Sequence, residues 1–234
     1  MDPIVNPPCW ICGKPATTGE HKAKHSDLLA VFGHVSQTSP VHYRDDKIGK
    51  RTIGSLNAKL TKFPDKICEH CNSARTQPHD RAWEALLAAL RARNQKIVPG
   101  ASVRANHIFP YETARQMLDM HLFFIKQFGG LILEGGAPIE IAPFAVAIMN
   151  NKAHPGVFLK FGCGPTFPGN SLVARSDLRI DARPDGSVAH ASWIYNVDGV
   201  AVQITYAERG MQHGFGWWHP SLGTNRLRIE TLNE

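Results

Sequence analysis

The sequence predicts an α+β protein in which a small cysteine-bearing module, residues 1–98, precedes an α+β domain with an antiparallel sheet, residues 99–234. Three observations lead to this prediction. Two C-x-x-C pairs lie in the first part, amphipathic helical patterns occupy the middle of the chain, and short alternating apolar runs follow them. The chain has 234 residues, 43% of them apolar, so it can bury a substantial core.

The cysteines indicate a metal site rather than disulfides. The pairs Cys9/Cys12 and Cys68/Cys71 are separated by 55 residues, and thiolates at this spacing form tetrahedral zinc sites that tie distant segments together. We therefore predict a structural Zn²⁺ ion bound by these four residues. A redox C-x-x-C pair would need a βαβ context, which is missing around both pairs. Cys163 is interpreted as a small buried hydrophobe in a Gly-rich turn rather than as a reactive thiol.

The net charge of +6 lies entirely in the cysteine-bearing part. Residues 1–98 carry fifteen basic and nine acidic side chains, whereas residues 99–234 carry eleven of each. An excess of this kind is typical of nucleic-acid binders, and the alternative is a solvated basic surface. No apolar run is long enough for a membrane span, and the N-terminus lacks the pattern of a secretory signal. Together with the reduced cysteines, this favours a cytoplasmic protein without a membrane partner.

Four segments are distinguished in the first part of the chain. Residues 1–33 are interpreted as a zinc-knuckle hairpin and its exit, and residues 34–66 as a basic loop-and-strand region. A short helix is predicted to begin within Cys68–Thr76, and the clearest helix spans His79–Asn94. Pro99-Gly100 is the predicted domain boundary. The long helix should dock on the rest of the protein through an apolar stripe of Ala82, Trp83, Leu86, Leu87 and Leu90.

The second part should combine two helices with an antiparallel sheet. A helix is predicted over Tyr111–Phe128, with Gly129-Gly130 as its stop signal and His121 on its apolar face, and another over Ile139–Asn150. Asn196–Gly199 is a hairpin turn signal between two of the predicted strands. These strands are Val157–Phe161, Leu172–Ile180, Val188–Tyr195, Val200–Tyr206 and Arg226–Glu230.

Cys9-Trp-Ile-Cys12, then Glu20-His21, then Cys68-Glu-His-Cys71-Asn72 occur in this order along the chain. With these elements, residues 9–80 resemble the zinc-braced HNH endonucleases of the His-Me finger, or ββα-metal, class. In that family a hairpin with an acidic-His dipeptide packs on a helix that begins at the last knuckle. The resemblance covers roughly a third of the chain. It implies a zinc-stapled ββα module that hydrolyses phosphodiester bonds in nucleic acid, with DNA as the expected substrate.

The resemblance also implies a role for each residue. His21 would be the general base that deprotonates the attacking water, a role suited to an imidazole. Glu20 and Asn72 would hold one catalytic divalent ion, Mg²⁺ or Mn²⁺. Asn57 would orient His21, and Arg75 would contact the scissile phosphate, since a guanidinium matches phosphate bidentately.

Other functions remain open at this point. The chain lacks the proline and the Gly-Gly turn that often follow the dipeptide in this family, so a zinc module that binds nucleic acid without cleaving it would look similar. A scaffold for protein interaction is a third hypothesis. His79 and Asp80 either open the long helix or lie near the metal. The second part would recognise a target, bind a gating ligand or form a homodimer, and Trp217-Trp218-His219 is the best candidate for base stacking.

Overall fold

A computed structural model of the chain describes residues 7–92, 98–166, 171–208 and 216–232 and confirms a mixed α+β fold with antiparallel sheets. The helices are α1 (His25–Phe32), α2 (Gln77–Ala92), α3 (Thr113–Gly135) and α4 (Ala142–Asn150). The strands are β1 (Thr18–His21), β2 (Val41–Asp45), β3 (Gly49–Ile53), β4 (Lys62–Ile67), β5 (Ser102–Arg104), β6 (Val157–Cys163), β7 (Val173–Arg175), β8 (Arg179–Ala182), β9 (Val188–Val197), β10 (Val200–Ala207) and β11 (Arg226–Thr231).

The strands form two small sheets and one large one. Strands β1 and β4 pair antiparallel, and so do β2 and β3, which lie between them in sequence. The large sheet has seven strands in the order β5-β11-β6-β10-β9-β7, with β8 also paired to β9; β11 and β6 are parallel to each other. The predicted hairpin turn joins β9 to β10, and Asp198 and Gly199 both have positive φ angles, as a tight hairpin turn requires.

Helix α2 packs on α3 as its apolar stripe predicts. Ala82, Trp83 and Leu86 are fully buried, and the indole of Trp83 stacks on Phe123 with ring centroids 5.6 Å apart. Aromatic pairs in such geometry stabilise a core beyond the area that they bury. The same hydrophobic cluster continues from the first cysteine pair to Trp193 in the large sheet. A continuous core therefore joins side chains from both sides of Pro99-Gly100.

The predicted end of the second helix at Gly129-Gly130 is wrong. Helix α3 continues to Gly135, and the two glycines lie beneath side chains of the first part. A Cβ atom at Gly129 would be 2.5 Å from Cη2 of Trp10, and one at Gly130 would be 2.7 Å from Cε2 of Phe63. These glycines allow close packing rather than stopping the helix.

The structure also differs from other predictions about individual strands, turns and helices. The predicted strand Leu172–Ile180 is divided into β7 and β8. Cys163 ends strand β6 instead of lying in a turn. The predicted short helix is a π-helical turn over Cys71–Arg75 that leads into α2, and the predicted end of that long helix at Asn94 falls outside the described residues. Within the described ranges, the structure contains no helix with the length and apolar character needed to cross a bilayer.

Candidate functional site

The four paired cysteines come together in the structure. The first pair lies in a tight turn in which the Cys9 N–H donates to the Lys14 carbonyl at 2.7 Å. In the second pair, Cys68 follows β4 directly and Cys71 begins the π-helical turn. All four Sγ atoms lie within 4.8 Å of one another, and ideal tetrahedral Zn–S geometry would separate them by about 3.8 Å. The cluster can therefore hold a structural metal such as zinc.

The thiols of the cluster strongly change one another's pKa values. Burial and the neighbouring thiols raise the pKa of Cys71 well above its usual range. Burial alone would also raise the pKa of Cys68, but the Cys71 backbone N–H and the adjacent sulfurs lower it to about 7. Four adjacent thiols cannot all ionise without a compensating cation, and a bound divalent metal supplies that charge.

The β1–β4 pair connects the cysteine cluster to His21. At one end Thr18 is opposite Ile67, directly before the second cysteine pair, and at the other end His21 is opposite Lys62. The register shifts between Gly19 and His21, where the single residue Glu20 is opposite residues 63–65 of β4, so the irregularity lies on β4. The Glu20-His21 dipeptide thus lies on one of two paired antiparallel strands. A helical segment follows the second strand along the chain.

The imidazole of His21 is half-buried beside Asn57. Its Nε2 atom is buried and has no hydrogen-bond partner among the described residues. Burial lowers the pKa of His21 to about 4, with help from Lys62 and from His25, whose ring centroid lies 5.2 Å away; hydrogen bonding with the Leu56 backbone and the Asn57 side chain acts in the opposite direction. The imidazole is therefore neutral at ordinary pH, and Nε2 can accept a proton.

Glu20 is held by a buried lysine that the sequence pattern did not reveal. The Lys126 side chain is 1% exposed, and its Nζ atom lies 3.1 Å from Glu20 Oε1 and 2.9 Å from Asp80 Oδ1. Nζ also donates to Thr76 Oγ1 at 3.3 Å. Burial would lower the pKa of Lys126, but the two carboxylates outweigh it and raise the pKa, so the ammonium stays charged. Burial raises the pKa of Glu20, against the effect of Lys126.

Two of the remaining candidates lie in the π-helical turn. Asn72 is half-buried, and its backbone N–H donates to the Cys68 carbonyl at 3.0 Å. Arg75 is also half-buried, and its Nε atom has no hydrogen-bond partner among the described residues. Because the Nε atom is buried, an anion would reach this half-buried guanidinium through its terminal nitrogens.

His79 and Asp80 lie in different environments, although the two residues are adjacent. Asp80 is joined to Glu20 through Lys126, so it belongs to the same group of charges. His79 is fully buried, and its Nε2 atom lies 3.6 Å from Asp119 Oδ1 and 3.4 Å from Asn151 Oδ1. Of the two residues, only Asp80 thus forms an ion pair with Lys126.

The aromatic residues proposed for base stacking are mostly in the core. Trp218 is 4% exposed, and its Nε1 donates to the Thr224 carbonyl at 3.1 Å, which contradicts a stacking role for it. Trp217 is half-buried, with Lys160 Nζ 5.9 Å from its ring centroid. His121 is fully buried, as its position on an apolar helix face predicts.

The cysteines form the one group of three or more His, Cys, Asp or Glu residues that could hold a metal in the described part of the chain. Comparisons with protein-family models, with curated proteins and with solved structures found no match for this chain.

Proposed function

We propose that this protein is a metal-dependent endonuclease of the HNH type that hydrolyses phosphodiester bonds in nucleic acid, with DNA as its substrate. The observation that supports this most directly is the His21 imidazole, which is neutral, has an unpartnered Nε2 and lies next to Asn57. Its strand pair leads to a four-cysteine cluster suited to structural zinc. This combination agrees with the ordered motifs of the sequence.

In the proposed reaction His21 is the general base. Its Nε2 takes a proton from water, the water oxygen forms a bond to phosphorus, and the bond from phosphorus to the 3′ oxygen breaks. The 3′ oxygen leaves with the bonding electron pair and takes a proton from solvent water, and the imidazolium of His21 returns its proton to solvent. Asn57 keeps the imidazole oriented, and Arg75 binds a phosphate oxygen. A divalent ion, when bound, stabilises the negative charge that develops on the phosphate and the leaving oxygen.

Glu20 and Asn72 are the residues proposed to hold that ion, Mg²⁺ or Mn²⁺. Lys126 and Gln127 both contact Oε1 of Glu20, which leaves Oε2 as the oxygen available to a metal. Mg²⁺ usually takes one or two protein carboxylates and keeps several waters, so a carboxylate and an amide oxygen suit it. The donor atoms fit, although the Lys126 ammonium competes for the same carboxylate.

Exposed cations of the first part support a nucleic-acid partner. Lys47, Lys50, Arg51 and Lys59 are all exposed, on the β2–β3 hairpin or in the segment that leads to β4. Lysine and arginine side chains of this kind supply the salt-dependent, sequence-independent part of nucleic-acid affinity. The free thiols also suit a reducing compartment such as the cytoplasm.

A second function, nucleic-acid binding without cleavage, is favoured by one specific observation. The Lys126 ammonium already contacts the carboxylates of both Glu20 and Asp80. If this internal cation excludes a divalent ion, the module would bind nucleic acid in a salt-sensitive manner and would not turn it over.

The deciding experiment is a cleavage assay with matched histidine variants. Wild-type protein is incubated at low salt with supercoiled plasmid, single-stranded DNA and RNA, each with Mg²⁺, Mn²⁺ or EDTA. We expect metal-dependent cleavage that falls about 10²- to 10⁴-fold in His21→Ala. His70→Ala is the control, because His70 is exposed within the second cysteine pair. Zinc content and thermal unfolding of both variants should match the wild type.

Two results would contradict the nuclease. Full cleavage by His21→Ala would exclude His21 as the base. Salt-sensitive binding by a folded, zinc-loaded wild type that cleaves nothing with either metal would favour the binding module.

A further inference from the structure

A cavity of about 600 Å³ lies between the β2–β3 hairpin and the segment that contains β7 and β8. Its volume falls within the range of small-molecule sites, which are typically about 300 to 1,000 Å³. One part of its lining is apolar and is contributed by helix α1, strand β3, the segment that follows β3, and strand β7. These apolar residues include Leu28, Phe32, Ile53, Leu56 and Val173.

The polar part of the lining includes two arginines without an acidic partner. Arg44 on β2 and Arg179 on β8 are exposed and form no ion pair with any described residue. Two further cations, Lys22 and Arg175, share the carboxylate of Glu134 at 2.6 and 2.5 Å. These two cations thus share one carboxylate, which can compensate only one of their two positive charges. The guanidinium groups of Arg44 and Arg179 remain available to an anion.

The acidic residues of the lining do not neutralise these arginines by direct contact. Asp45 is used by its own hairpin: Oδ1 accepts from the Lys47 N–H at 3.0 Å, and Oδ2 accepts from the Tyr43 hydroxyl at 3.3 Å. Asp46 and Asp177 are exposed, where water screens their charge. The cavity therefore offers an apolar wall, an aromatic residue and unpaired guanidinium groups.

The cavity adjoins the candidate base. Lys22 follows His21 directly in sequence and lines the cavity. Leu56 also lines it, and the Leu56 backbone is close enough to the His21 imidazole to raise its pKa against the effect of burial. A ligand in the cavity would therefore lie close to the position at which the phosphodiester bond is expected.

We propose that this cavity binds a nucleotide, with its phosphate on Arg44 and Arg179 and its base against the apolar wall and Tyr43. The proposal rests on the proposed function in that the ligand would be a nucleotide of the substrate strand beside the cleaved bond. A nucleotide fits because it combines an anion, which guanidinium groups bind bidentately, with a flat ring that an apolar and aromatic surface accommodates.

The test measures binding by calorimetry, using the whole wild-type chain in buffer without Mg²⁺ or Mn²⁺. The probes are a mononucleotide, a short single-stranded oligonucleotide and inorganic phosphate. Arg44→Gln and Arg179→Gln should each weaken nucleotide binding about tenfold or more. Arg104→Gln is the matched control, because Arg104 is exposed on β5 and does not line the cavity. Tyr43→Leu should weaken binding of the nucleotide but not of phosphate.

The outcomes separate the ligand sources. Arginine-dependent binding of the free mononucleotide supports the site directly, and arginine-dependent binding of the oligonucleotide alone assigns it to the substrate strand. Binding that is unchanged in both variants overturns the proposal, and so does phosphate binding as tight as nucleotide binding, since the apolar wall would then have no role. No step of this test requires cleavage, so failure of the nuclease assay and failure of the cavity assignment remain distinguishable.

Discussion

The backbone of Gly129 lies directly under the indole ring of Trp10, so that a Cβ atom there would be 2.5 Å from Cη2. Trp10 stands inside the first cysteine pair, whereas Gly129 belongs to the central helix α3. This contact packs the turn that contains the first cysteine pair against helix α3. It requires a residue without a side chain at position 129.

Gly129→Ala should destabilise the protein by about 1 to 3 kcal/mol, because the added methyl group must displace the indole or the helix. Urea unfolding of the two proteins measures the difference. Gly135→Ala is the control in the same helix, because a Cβ atom there would meet nothing within 4 Å. Alanine at that position should be neutral or stabilising, and equal destabilisation by both substitutions would disprove the packing argument.

The cysteine cluster should hold one zinc ion, and folding of the first part should depend on it. Cys71→Ser removes a thiolate ligand and should reduce both zinc content, measured by elemental analysis, and the midpoint of thermal unfolding. Cys163→Ser should leave zinc content unchanged, since Cys163 lies at the end of β6 outside the cluster. Zinc retained at wild-type level in Cys71→Ser would contradict the four-cysteine site.

Lys126→Met should cost about 3 to 5 kcal/mol, because it leaves the partly buried carboxylates of Glu20 and Asp80 without their shared cation. Asp80 keeps a weaker partner in Lys24, 3.7 Å away, so Glu20 should account for most of the loss. Adding Glu20→Gln should recover part of the stability in denaturant unfolding. Lys152→Met is the control, because Lys152 is exposed. If Lys126→Met lowered the free energy of unfolding no more than this control does, the contacts of Lys126 with Glu20 and Asp80 would not stabilise the fold.

Asp27 should make stability depend on pH between about 4 and 6. Its buried Oδ2 accepts hydrogen bonds from Trp83 Nε1 and the Tyr195 hydroxyl, both at 2.8 Å. Burial raises the pKa of Asp27 to about 6; these two hydrogen bonds and Lys24 oppose the shift, and Glu84 adds to it. The folded state therefore keeps the proton after the unfolded chain has lost it, so the contribution of Asp27 to stability is fully present below about pH 4 and is lost as the pH rises through about 6.

Asp27→Asn should remove this dependence while its side-chain oxygen can still accept both hydrogen bonds. Relative to the wild type, the variant should gain about 2 kcal/mol in unfolding free energy between pH 4.5 and pH 7. Parallel urea titrations at the two pH values measure the difference. Identical pH profiles for the two proteins would show that Asp27 does not titrate in this range.

Patterns that act over a few residues were sufficient to predict much of the fold. The apolar stripe of α2 appears in the sequence because helical periodicity repeats every three to four residues. The Asn196–Gly199 turn is recognisable because its tight geometry favours residues that tolerate positive φ angles. The paired spacing of the cysteines similarly predicts their cluster, since thiolate ligands impose a fixed local geometry on the chain.

The same local reasoning failed where a residue's partner is distant in sequence. Gly129 was interpreted as a helix stop because glycine is a poor helix former, yet its role is to make room for Trp10. The pattern of residues 172–180 predicts one strand, but β7 and β8 pair with different parts of β9. Local propensity is a weak term that tertiary contacts override.

The sequence by itself therefore determined the α+β class, the four-cysteine cluster and the helix that docks on the core. Only the tertiary structure decided that Lys126 lies between Glu20 and Asp80, that Asp27 accepts hydrogen bonds from Trp83 and Tyr195, and that a cavity opens beside His21. The physical reason is that periodicity and ligand spacing are properties of neighbouring residues in the sequence. The partner of a buried charge instead comes from a distant segment, and only the folded core brings the two within hydrogen-bonding distance.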